Sequence, residues 1–85
     1  METFEYVIKD RIGLHARPAG LLAKKVKAME SKVTIKAKGK SVNAGNVMAI
    51  MGLGIKEGEE VFIELEGSKE KEERQELEAF FLKNL

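Results

Sequence analysis

The chain has 85 residues, 44% of them hydrophobic and 34% charged, with a formal net charge of +1. That is enough for one small domain with one core and a well-solvated surface. With no cysteine and one histidine, the composition excludes a disulfide framework, a thiolate nucleophile, a cysteine-held zinc or iron–sulfur site, and a histidine-rich metal site. The opening residues Met1-Glu2-Thr3-Phe4-Glu5-Tyr6 do not read as a signal peptide, and no apolar run approaches membrane-spanning length. A cytoplasmic protein without direct membrane insertion is expected.

The small net charge hides an asymmetry. Residues 1–56 carry 11 basic and 4 acidic side chains, and residues 57–85 carry 4 and 10. A basic surface is therefore expected on the first part of the chain, suited to an anion or an acidic partner.

In chain order, Thr3 to Lys9 alternates Phe4, Tyr6 and Ile8 with Glu5 and Val7, the pattern of a half-buried strand. Asp10 to Gly13 reads as a loop in which Gly13 is free to take a positive φ. From Ala16 to about Glu30 the spacing turns helical. Ala19, Leu22, Val26 and Met29 share one side, and Arg17, Gly20, Lys24 and Lys27 share the other. Pro18 fits a first helical turn, where its missing N–H would have no intrahelical partner. Val33, Ile35 and Ala37 mark a second strand, and Lys38-Gly39-Lys40 a hairpin turn into Ser41-Val42-Asn43.

Asn46 is a good N-cap for a short helix over about Val47 to Leu53. Ile50 and Leu53 lie on one side of that helix, and Val47, Met48 and Met51 on another, where they are expected to stay largely exposed as an adaptable apolar patch. Gly54 and Gly58 bracket a turn into a strand with Val61, Ile63 and Leu65 inside. Ser68 is the expected N-cap of a final helix, Lys69 to Leu85, docked mainly through Leu77, Phe80, Phe81 and Leu85. Its acidic residues Glu70, Glu72, Glu73 and Glu76 read as a solvated face. The order β-α-β-β-α-β-α in one small chain implies an α+β fold, an antiparallel sheet with helices on one face.

Chemistry concentrates in Gly13-Leu14-His15-Ala16-Arg17-Pro18-Ala19, which holds the only histidine and the only proline. A helix start offers free N–H groups and a partial positive charge, and an arginine binds phosphate oxygens well. Beside a histidine, these make a site where a phosphoryl group can rest next to a nucleophile. The serines Ser31, Ser41 and Ser68 do not pair with the histidine in a hydrolase pattern, no carboxylate pair forms a glycosidase motif, and the stretch Gly45 to Gly58 lacks P-loop spacing.

The heptapeptide, together with Val42-Asn43-Ala44, Met51 and Leu53-Gly54-Ile55, resembles the HPr family, the histidine-containing phosphocarriers of the bacterial phosphoenolpyruvate-dependent sugar phosphotransferase system. The resemblance covers the whole chain as one domain, 1–85. It implies an open-faced β-sandwich: a four-stranded antiparallel sheet with three helices on one face. It also implies that His15 accepts a phosphoryl group on Nδ1 from phosphorylated enzyme I and passes it to the IIA domain of a sugar permease. The chain would then be a co-substrate and not an enzyme, a monomer without cofactor or metal. Arg17 would stabilise the phosphoryl group, with Gly13, Ala16 and Pro18 supporting the histidine. Leu21, Lys24, Lys27, Val47, Met48 and Met51 would meet the partners.

Three positions depart from the family's pattern. Asn46 stands where some members carry a regulatory serine phosphorylated by a dedicated kinase, Gly45 where a lysine is common, and Ile12 where a polar residue is usual. A regulatory paralogue in a nitrogen-type or kinase-coupled phosphotransfer chain is one alternative. A module binding RNA or protein through its basic face is another. A nucleic-acid reader would carry stacking aromatics there, whereas Phe4, Tyr6, Phe62, Phe80 and Phe81 fall in core positions or away from the basic stripe, so no nucleic acid is expected.

Overall fold

The computed structural model describes residues 1–85, in the order β1 (Glu2–Val7), α1 (Ala16–Lys27), β2 (Lys32–Ala37), β3 (Lys40–Asn43), α2 (Val47–Gly52), β4 (Glu60–Glu66) and α3 (Glu70–Asn84). The strands form one sheet in the order β1-β4-β2-β3, every pair antiparallel. Because strand side chains alternate between faces, Phe4, Val33, Ile35, Val61, Ile63 and Leu65 all fall on one face, buried under the helices. Leu22 and Val26 of α1, Ile50 of α2, and Leu77 and Phe81 of α3 complete the core. Phe81 takes Phe4 and Tyr6 edge-on, at ring-centre distances of 5.5 and 5.3 Å. The opposite face of the sheet is uncovered. Phe62 stands on it, 45% exposed, between Glu5 and Lys36 in the register, so it is not a core residue.

The β2–β3 hairpin closes through Lys38 and Gly39 at φ 52° and 76°. Two successive positive φ values give a turn whose twist matches the strands it joins. The Nζ of Lys38 donates to the Gly54 carbonyl at 2.6 Å and pairs with Glu59 at 3.1 Å, tying the hairpin to the turn before β4.

Four expectations are corrected. Helix α1 ends at Lys27 and does not run to Glu30. The N–H groups of Ala28 and Met29 turn back to the Lys25 and Val26 carbonyls, and the next amides leave the helix for a carboxylate. The N–H groups of Glu30 and Ser31 each donate to Glu73 at 2.8 Å, as does the Ser31 hydroxyl. Glu73 is therefore not part of a solvated face. It is 7% exposed and ties the α1–β2 connection to the first half of α3.

Ser68 does not cap α3. A main-chain turn joins the Glu70 N–H to the Gly67 carbonyl, and the Glu70 carboxylate reaches back to the Gly67 N–H. The helix thus starts one residue later, with Lys69 at the N-cap position and no side-chain cap. Val47 is half-buried against the core, so the exposed patch on α2 narrows to Met48 and Met51, 76% and 40% exposed.

Burial raises the pKa of Glu73, but the hydrogen bonds from Ser31 Oγ and from the Glu30 and Ser31 amides outweigh it, so the carboxyl titrates below its ordinary value of 4.5. The ionised carboxylate therefore contributes stability above pH 4.5 that is lost as pH falls through the folded-state value. Glu73→Gln is expected to flatten the loss of stability in acid, and Glu73→Ala to lower stability at neutral pH by about 2–3 kcal/mol by stranding the buried Ser31 amide and the part-buried Glu30 amide. Urea unfolding followed from pH 7 to pH 3 checks both.

Candidate functional site

The loop between β1 and α1 is placed by contacts that leave little freedom. Gly13 has φ +85°, and a Cβ there would lie 2.3 Å from the Ile55 carbonyl oxygen and 2.7 Å from the Lys56 Cα. Glycine is thus required both by its conformation and by the close approach of another backbone. Directly after it, the Leu14 N–H donates to the same Ile55 oxygen at 3.0 Å. On the other side of the loop, the Leu85 main-chain oxygen accepts from the N–H groups of Lys9 and Asp10 at 2.6 and 2.9 Å.

Leu14 is buried on one side of His15, and Pro18 and Ala19 on the other, so the histidine is stretched between two apolar anchors. His15 is the N-cap residue of α1, in extended conformation, and its side chain makes no capping hydrogen bond. The ring is one-third exposed, with Nε2 3.8 Å from Asp10 Oδ1. The helix offers unpaired N–H groups at Ala16 and Arg17, since its first main-chain bond runs from the Ala19 N–H to the His15 carbonyl. Pro18 occupies the third helical position, within the expected first turn. Arg17 is exposed and forms no ion pair.

His15, Arg17, Pro18 and Leu21 line one cleft of about 250 Å³ together with Asp10, Lys83 and Asn84. The last three were not singled out from the sequence. Asp10 sits in the same loop five residues before the histidine, where its charge is the available signal. Nothing local marks Lys83 and Asn84, which the tertiary fold brings in from the far end of α3.

Lys24 and Lys27 project from α1 into solvent and form no ion pairs. Leu21 on the same helix is 43% exposed. Helix α2 packs against α1, which puts Met48 and Met51 on an element next to the basic stripe. Asn46 caps α2, its Oδ1 accepting from the Ala49 N–H at 3.0 Å. Asn43 Oδ1 closes a turn on the Gly45 N–H at 2.7 Å, so α2 is held at its start by two asparagine side chains. Ile12 is 70% exposed, with its N–H bound by Asp10. No helix is long and apolar enough to cross a membrane.

The architecture is that of a small α+β open-faced sandwich with a histidine at the start of its first helix. The family described as "PTS HPr component phosphorylation site" matches residues 2–83. The chain belongs to this HPr family, the phosphocarriers of the phosphotransferase system. The phosphocarrier protein HPr of Mycoplasma capricolum is 41% identical over 68 residues, 80% of this chain and 76% of that protein. Among solved structures, an HPr from Thermoanaerobacter tengcongensis superposes with a TM-score of 0.92 at 33% identity, covering 99% of this chain and 94% of that one. An HPr from Bacillus anthracis gives 0.86 at 32% identity, covering 94% and 95%.

The contact between Gly13 and Ile55 supplies a direct test of how the loop is held. Gly13→Ala is expected to lose on the order of 2 kcal/mol or more, since the loop must both leave a positive φ and retreat from the Ile55 carbonyl. Thermal unfolding measures the loss, and amide shifts at Leu14 and Ile55 locate it.

Proposed function

We propose that residues 1–85 act as one phosphoryl-carrier domain, in which His15 accepts a phosphoryl group on Nδ1 from phosphorylated enzyme I and hands it to the IIA domain of a sugar permease. The observation that carries this reading is the placement of His15 at the N-cap of α1, with an unengaged ring nitrogen beside free N–H groups and an unpaired Arg17. The Nδ1 lone pair attacks phosphorus, and the phosphoryl oxygens are received by the Ala16 and Arg17 amides and the Arg17 guanidinium. These donors are few and lie at the rim of an open cleft. Such a site stabilises the phosphoryl group without trapping it, as a carrier with two successive transfers requires.

The carrier is a cytoplasmic monomer that needs no cofactor and is a co-substrate of its partners. Lys24 and Lys27 are available for acidic side chains on them, with Leu21, Met48 and Met51 as apolar contacts and Val47 supporting Met48 and Met51 from the core side. Their spread over adjacent helices allows one surface to serve donor and acceptor in turn.

Mixing the protein with enzyme I and labelled phosphoenolpyruvate should place acid-labile, base-stable phosphate on His15, absent in His15→Ala. Label surviving that substitution would overturn the reading. Arg17→Met should slow transfer at least tenfold through loss of a charge-assisted contact to the phosphoryl oxygens. Asn46 caps α2 without offering a hydroxyl, so ATP and the serine kinase of HPr should leave this region unlabelled in phosphopeptide maps.

A further inference from the structure

Asp10 is held more firmly than a loop carboxylate needs to be. Its N–H is bound by the Leu85 oxygen, its carbonyl accepts from the Gly13 N–H at 3.0 Å, and its Oδ1 accepts from the Ile12 N–H at 2.9 Å. That same Oδ1 lies 3.8 Å from His15 Nε2, and His15 is the one cationic or titratable basic group within ion-pair distance of it. Both residues line the same cleft. At 3.8 Å the contact is electrostatic and longer than a hydrogen bond.

We infer that Asp10 is the positioning residue for His15, holding the proton on Nε2 so that Nδ1 keeps the lone pair that takes the phosphoryl group. The inference rests on the carrier reading given above. A neutral imidazole carries one N–H, and an ionised carboxylate is an acceptor only. Facing Nε2, the Asp10 charge favours the ring form with N–H on that side and disfavours the form that would aim a lone pair at it. The other nitrogen is left as the nucleophile.

The transfer then needs no proton movement. As the Nδ1 lone pair forms the N–P bond, the bond between phosphorus and the donor atom of enzyme I breaks and its electron pair stays with the donor. Nε2 keeps its proton, so the phosphorylated ring is cationic, and Asp10 sits beside that charge. In the onward step the N–P electron pair returns to Nδ1, and the ring is again neutral with its proton on Nε2. Asp10 therefore does not touch the phosphoryl group and acts through the ring.

Asp10→Asn is the discriminating variant, because its side-chain oxygen still accepts from the Ile12 N–H while the charge is gone. With ¹⁵N-labelled histidine, long-range proton–nitrogen spectra of the unphosphorylated protein report which ring nitrogen carries the proton. The native protein should show the Nε2–H form in excess, and Asp10→Asn should shift the ratio of the two forms toward Nδ1–H by about twofold, the size of a carboxylate acting on the N–H dipole of a neutral ring 3.8 Å away. The rate of phosphorylation by enzyme I should fall in proportion to the fraction of the ring left in the Nε2–H form, and Asp10→Glu should restore much of both. An unchanged ratio in Asp10→Asn, or a slowed rate without a shift in the ratio, overturns the inference. Failure of enzyme I to label native His15 would sink the carrier reading instead, while the proton ratio still tests Asp10.

Discussion

Between Gly13 and Ile55 two stretches of backbone meet with no room for a side chain. A methyl group on Gly13 would stand 2.3 Å from the Ile55 oxygen, the same oxygen that accepts the Leu14 N–H. This contact joins the loop before α1 to the segment before β4, two parts of the chain about forty residues apart. It sets where α1 begins and therefore where His15 points. Leu14 and Ala19 on either side of the histidine are core residues, so the site inherits the rigidity of the core it rests on. The His15 ring stays one-third exposed because Leu14 and Ala19 do the packing.

The same economy appears in how the connections are held. Short chains have little apolar area to bury, so each loop that wanders free weakens the whole. Here Glu73 gathers the end of α1, Lys38 joins the hairpin to the Gly54 turn, and the Leu85 oxygen holds the start of the loop before α1. All three are single polar groups from one element satisfying main-chain donors or acceptors of another. The uncovered face of the sheet carries mostly charged and polar residues, with Phe62 the aromatic among them. The exposed apolar side chains Leu21, Met48 and Met51 lie instead on the helical side, where α1 and α2 pack next to each other.

Much of this was legible in the residues. Alternation along Phe4, Tyr6 and Ile8, or Val61, Ile63 and Leu65, needs only the two-residue period of a strand. The stripe Ala19, Leu22 and Val26 needs only the helical period. Asn46 acts on an amide three residues away and can be read from the local sequence, as can the need for glycine at a turn such as Lys38-Gly39. The errors share a cause. Ser68 looks like a cap until the Glu70 carboxylate is seen to take the Gly67 amide. Glu73 looks solvated until the amides of Glu30 and Ser31, more than forty positions away, are found pointing at it. Val47 belongs to an exposed side of its helix until the sheet is placed beneath it.

The linear pattern was thus sufficient for the element order, for one apolar face per element, and for His15 beside a helix start and an arginine, because each depends on spacings of two to four residues. The tertiary fold alone decided that Gly13 must abut Ile55, that Lys83 and Asn84 share a cleft with His15, and that Glu73 is buried. It also decided which ring nitrogen of His15 faces Asp10. Proximity across the chain depends on how the helices settle on the sheet, and no local period encodes that packing.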